Sequence, residues 1–142
     1  MDNSNSSCSC NKIVVLDYFL EDGNIYVKTY EDGEYNTVLV DIDEINEQIE
    51  DYLCYKMSIS TDTFDKAVSE SGINRSFDLL LLDRLEDFFV KVYNLNSFAD
   101  ILTDPDVNFM WRRVANGIGS MVFELKSGVR IDSNRLRNLD IF

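Results

Sequence analysis

The chain has 142 residues, 45% of them hydrophobic and 12% aromatic, with 26 Asp/Glu against 13 Lys/Arg and a formal net charge of −13. That length and apolar content can supply a hydrophobic core and exclude a wholly disordered chain, while the charge excludes a basic nucleic-acid binder because it repels phosphate at long range. The expected organisation is a flexible polar arm over residues 1–11 and one α+β domain over residues 12–142.

The arm, Met1–Asn11, is rich in Ser and Asn and has little to bury. Three short runs follow, Lys12–Leu20, Ile25–Tyr30 and Tyr35–Ile42, rich in Ile, Val, Tyr and Phe. Asp22-Gly23 and Asp32-Gly33 stand between them, and Asp-Gly is a strong tight-turn signal, so the sequence predicts an N-terminal three-stranded antiparallel meander. From Asp43 the period changes. Ile42, Ile45, Ile49, Tyr52, Leu53 and Met57 share one helical face, with Glu44, Glu47, Glu50 and Asp51 largely on the other and Asp41 or Asp43 placed to cap.

Ser60 or Thr61 starts a second predicted helix through Thr63–Ser71, ended by Gly72, and Asn74 or Ser76 starts a third running to about Tyr93. This third helix carries more apolar residues than one face holds, so it is either the central packed helix of the bundle or also meets another subunit, through Phe88 and Phe89. Ser97–Leu102 reads as a short helix, and Asp104-Pro105 opens another through Asp106–Asn116 that Gly117 closes. Ser120–Lys126 and Val129–Asp132, joined across Ser127-Gly128, form a predicted C-terminal β-hairpin, followed by a short polar tail whose last residues, Ile141 and Phe142, could dock on a core or a neighbour.

No run of about 18 apolar residues occurs, so no membrane span or membrane partner is expected, and an odd cysteine count fits folding in a reducing cytoplasm. Cys8-Ser9-Cys10 could hold a soft metal, but a closed tetrahedral site needs a full ligand set, and the chain has no histidine and only Cys54 besides. Absence of histidine also removes Ser-His-Asp and Cys-His nucleophile systems. Acidic groups such as Asp41, Asp43 and Glu44, or Asp83, Glu86 and Asp87, follow from composition and read as solvated faces. We expect no catalytic residue, no metal site and no cofactor.

The charge is uneven along the chain. Residues 1–110 hold 7 Lys/Arg against 23 Asp/Glu, a net of −16, and residues 111–142 hold 6 against 3, a net of +3. Either the basic end docks on the acidic side of another copy, or Arg112, Arg113, Arg130, Arg135 and Arg137 neutralise carboxylates within one molecule. Trp111-Arg112-Arg113 sets an indole beside two guanidiniums, a pattern suited to an interface as well as to an amphipathic helix.

Three segments together carry a family resemblance: Asp22-Gly23-Asn24-Ile25-Tyr26-Val27-Lys28-Thr29-Tyr30, the third strand Thr37–Ile42, and the acidic helix closing in Tyr52-Leu53-Cys54-Tyr55-Lys56-Met57. With the polar arm before them and Trp111 on a later helix, they resemble the small neck, or head–tail connector ring, proteins of tailed bacteriophages of the crAss-like group. The likeness covers roughly Lys12–Met57, with a looser match around Asn108–Ala115. It implies a virion structural protein without an active site, assembled in the host cytoplasm from copies of itself in a ring, joining portal and tail proteins, with DNA only as passing cargo. An acidic, phosphate-repelling body suits such a channel. The interface candidates are then Trp111, Arg112, Arg113, Arg130, Arg135, Arg137, Phe88, Phe89 and Phe142. A reading of a different class is an acidic phage-encoded inhibitor that mimics DNA and blocks a host nucleic-acid enzyme.

Overall fold

Turn chemistry sets the first part of the structure. In the computed structural model, which describes residues 12–139, Asp22 and Gly23 both adopt positive φ (53° and 79°), as do Asp32 and Gly33 (52° and 81°). Positive φ at both central residues gives the tight turns whose twist matches that of antiparallel strands. They join β1 (Val14–Glu21), β2 (Asn24–Glu31) and β3 (Glu34–Leu39) into an antiparallel sheet of order β1-β2-β3. A register shift between Val15 and Asp17 marks an irregularity at Leu16 in β1.

Two compact units are present, residues 12–41 with 122–139, and residues 42–121. In the first, alternation along β2 buries Ile25, Val27 and Thr29 on one face of the sheet. The C-terminal hairpin, β4 (Val122–Glu124) and β5 (Arg130–Asp132), contributes Phe123, Leu125, Val129 and Ile131 to the buried set. Its link to β1 is specific: the Asp132 backbone N–H donates to the Tyr18 hydroxyl at 3.0 Å.

In the second unit, α1 (Ile42–Met57) buries Ile45, Ile49, Leu53 and Met57, every fourth residue of one stripe. Ser60 caps α2 (Thr61–Glu70), its hydroxyl accepting from the Thr63 N–H at 3.1 Å, and Gly72 takes φ +70° just beyond the helix end. Asp104 caps α5 (Pro105–Gly119), accepting from the N–H groups of Asp106 and Val107, with Pro105 in the first turn; α4 (Ala99–Thr103) precedes it.

Three expectations are corrected. The long helix from Asn74 or Ser76 to Tyr93 is a 3₁₀ turn, Ser76–Leu80, then α3 (Leu82–Val92), with Leu81 extended between them at φ −85°, ψ 132°. One continuous helix would turn part of its Leu run outward; the break lets Phe77, Leu79 and Leu80 be buried together with Leu85, Phe88 and Phe89. Asn46 fixes the start of the turn by accepting from the Phe77 backbone N–H at 2.7 Å. Gly117 does not close α5 but lies inside it, where a Cβ would collide with the Tyr52 phenol. The polar tail after the hairpin contains a short helix, α6 (Ser133–Arg137), capped by the Asp132 carboxylate, which accepts from the Asn134 N–H at 2.8 Å. Cys8, Cys10 and Phe142 lie outside the described residues. No helix among the described residues is long and apolar enough to cross a membrane.

Candidate interface surfaces

Trp111 is the pivot of the strongest surface feature in the second unit. From α5 its indole meets the Phe89 ring edge-on, with centroids 5.1 Å apart, and the Phe98 ring at 6.5 Å. Phe89 is fully buried and Phe98 is partly exposed, so a chain of aromatic contacts runs from the core of the unit to its surface. Leu102 of α4 and Phe109 of α5 are exposed, the latter 57%, as are Arg112 and Arg113; Phe109 and Arg113, two residues either side of Trp111, lie on the other side of α5 from the indole. The Arg113 guanidinium lies over the Phe109 ring at 5.6 Å. Among the described residues neither Arg112 nor Arg113 forms an ion pair.

The remaining arginine candidates belong to the first unit and differ in their partners. Arg135 lies 3.6 Å from the Asp17 carboxylate and stacks over the Tyr18 ring at 4.6 Å. Arg137 donates to the Asn134 side chain at 3.2 Å, and Arg130 is exposed on β5. Phe88 and Phe89 are fully buried, Phe88 against Phe64 at 5.2 Å, so they are core residues of the second unit and not surface available to a partner.

Sequence reasoning missed a second exposed patch, the outer face of the β1-β2-β3 sheet. Phe19 stacks on its cross-strand neighbour Tyr26 at 5.4 Å, Tyr30 tilts against Tyr35 at 4.9 Å, and Lys28 sits 5.7 Å from the Phe19 ring centre. Tyr35 is 76% exposed and Leu39 and Val14 are also exposed. Beside it, Leu16, Lys28, Tyr35 and Thr37 line an open depression of about 490 Å³. The signal was present in Ile25-Tyr26-Val27, where apolar residues occupy both parities of one strand and so supply two faces.

The titratable groups are perturbed chiefly by burial. Burial holds the Tyr52 phenol above its ordinary value of 10.0, with Arg113 pulling it partly back. Glu50 of α1 is raised above 4.5 by burial and then by Asp65, Asp51 and Glu47, and Glu86 of α3 by burial and then by Asp83 and Asp87. The Cys54 thiol is raised by burial and by Glu50, Asp51 and Asp65, which keeps it protonated and a weak nucleophile. Among the described residues no three metal-ligating side chains gather in one place. Comparison with protein-family models, with curated proteins and with solved structures finds no match to this chain.

Proposed function

We propose that this chain is a structural protein of the neck of a tailed bacteriophage, part of the head–tail connector ring that joins portal to tail, and that it acts by protein–protein assembly without catalysis. The observation that carries this reading is the exposed face of α5: Arg112 and Arg113, without an ion pair among the described residues, with exposed Phe109 against Arg113, on a helix anchored to the core through Trp111 and Phe89. Trp and Arg around a rigid aromatic anchor are the residues that dominate protein interfaces. The outer sheet face of the first unit supplies further exposed aromatic surface for neighbours.

The inhibitor reading is less well supported. A DNA mimic presents carboxylates in a row along one face, whereas in this chain the exposed aromatic side chains Tyr35 and Tyr55 stand among acidic residues of the sequence. Quantitative peptide mass spectrometry of gradient-purified particles from the encoding virus tests the proposal. Recovery at one fixed, ring-like stoichiometry is the expected result. Absence from particles, with the protein bound instead to a host nucleic-acid enzyme, overturns it in favour of the inhibitor.

A further inference from the structure

The second unit holds 7 Lys/Arg and 15 Asp/Glu, yet Arg112 and Arg113 sit side by side with no ion pair among the described residues. With twice as many acids as bases in the same unit, an unmatched guanidinium pair is a surface whose complement lies elsewhere. That complement must bring carboxylates at guanidinium reach and some apolar or aromatic area for Phe109.

The chain itself carries such a surface. On α1, Glu47, Asp51 and Tyr55 are all exposed, Tyr55 at 79%, and they follow one another at intervals of four residues, a rise of roughly 6 Å per step along one stripe. Tyr52, the α1 residue that lies against Gly117 of α5, is about 140°, 100° and 60° round the helix from Glu47, Asp51 and Tyr55, so the stripe runs from the side of α1 remote from α5 at Glu47 towards it at Tyr55. Arginine patch and acidic stripe use different residues, on different helices, of the same unit. A contact between two different patches is heterologous, and it propagates from copy to copy until it closes on itself.

We propose that a second copy of this chain is the partner of the Arg112–Arg113 surface, docking it on the Glu47–Asp51–Tyr55 stripe of α1, with Phe109 packing beside Tyr55. The contact rests on the assembly reading above and names the surface through which that assembly forms. Net charge opposes association of two −13 chains. At physiological salt, however, repulsion beyond a screening length of about 8 Å is largely removed, while charge pairs at contact persist. The local match then decides which surfaces meet.

The test is a charge swap on the full chain, read by analytical ultracentrifugation over a concentration series at physiological salt. Wild-type chain is expected to form larger species as concentration rises. The double variants Arg112→Glu/Arg113→Glu and Glu47→Arg/Asp51→Arg should each weaken association by roughly tenfold or more. Mixed one to one, the two variants should associate again, because each then meets the complement of its altered surface. Thermal melts verify that both variants fold; if the Glu pair does not, Arg112→Gln/Arg113→Gln replaces it with the same expectation. A monomeric wild type, or a mixture that fails to recover association, overturns the contact. Because incorporation into particles is measured separately, a chain found at fixed stoichiometry whose association ignores the swap rejects this surface and leaves the neck assignment standing.

Discussion

Replacing Gly117 with Ala separates two roles a helical glycine can have. In an unobstructed helix interior the change is favourable by about 1 kcal/mol, because Gly loses more backbone entropy on folding. In α5, however, the new methyl would occupy the space of the Tyr52 phenol, whose hydroxyl and ring carbon meet that position. Tyr52 is half-buried, so its ring can yield only by swinging toward solvent. Re-exposing ~40–80 Å² of aromatic surface at about 25 cal/mol per Å² costs roughly 1–2 kcal/mol. The propensity gain is offset, and Gly117→Ala should leave the protein between about 0 and 1 kcal/mol less stable. In a Tyr52→Ala background the same change should instead stabilise by about 1 kcal/mol, a coupling of roughly 1–2 kcal/mol between the positions. Urea unfolding followed through Trp111, the sole tryptophan, measures all four corners of the cycle. A second readout is the Tyr52 phenol, which burial holds above 10.0 and which should titrate closer to that value once the ring is displaced. Equal stabilisation by Gly117→Ala with and without the Tyr52 ring would refute the close-approach argument.

Two further perturbations probe a cap and a buried acid. Asp104→Ala removes the acceptor of the Asp106 and Val107 N–H groups at 3.0 and 3.2 Å and should cost about 1 kcal/mol, seen as a lower urea midpoint at constant slope, whereas Asp104→Asn should lie within a few tenths of the parent. Glu50 has a raised folded-state value, so its carboxyl favours folding in the protonated form; that contribution is present at acid pH below the unfolded value and is lost as pH rises through the folded one. Glu50→Gln should therefore be more stable than the parent at neutral pH, by well under 1 kcal/mol because the group is only partly buried and solvent screens it, and the difference should close as pH falls below the carboxylate range. Melting curves that keep a constant gap across that range would show that ionisation of Glu50 is not the cause.

Turns, caps and amphipathic stripes were legible in the sequence because each is decided locally. Asp22-Gly23 and Asp32-Gly33 carry the positive φ of their hairpins in their own residues, Ser60 and Asp104 cap through side chains within three positions, and the period of Ile45, Ile49, Leu53 and Met57 needs no tertiary information. The break at Leu81 was not legible, since Asn46, 31 positions away from Phe77, supplies the acceptor that starts the 3₁₀ turn. Gly117 misled for the same reason: its close neighbour, Tyr52, comes from another helix. For the candidate surface, the Trp111-Arg112-Arg113 triplet could be read directly. Phe109, four residues before Arg113 on the same helix, was legible in principle too, whereas the place of Phe98 against Trp111 depends on how α4 and α5 meet.

The charge asymmetry along the chain resolves into arginines with different surroundings. Residues 111–142 carry an excess of +3, but the fold divides them, leaving Arg112 and Arg113 in the second unit and Arg130, Arg135 and Arg137 in the first. Arg135 is already engaged by Asp17 and the Tyr18 ring, so recruiting it to a partner means breaking contacts that hold α6 beside β1, and recruiting Arg137 means breaking its hydrogen bond to Asn134 within α6. That loss subtracts from any gain in binding. Among the described residues Arg112 and Arg113 have no ion pair to break, and Arg113 keeps its cation–π contact with Phe109 when a carboxylate approaches from solvent. Of the two alternatives read from the sequence, internal neutralisation is met by Arg135 with Asp17, and Arg112 and Arg113 are the pair proposed to dock.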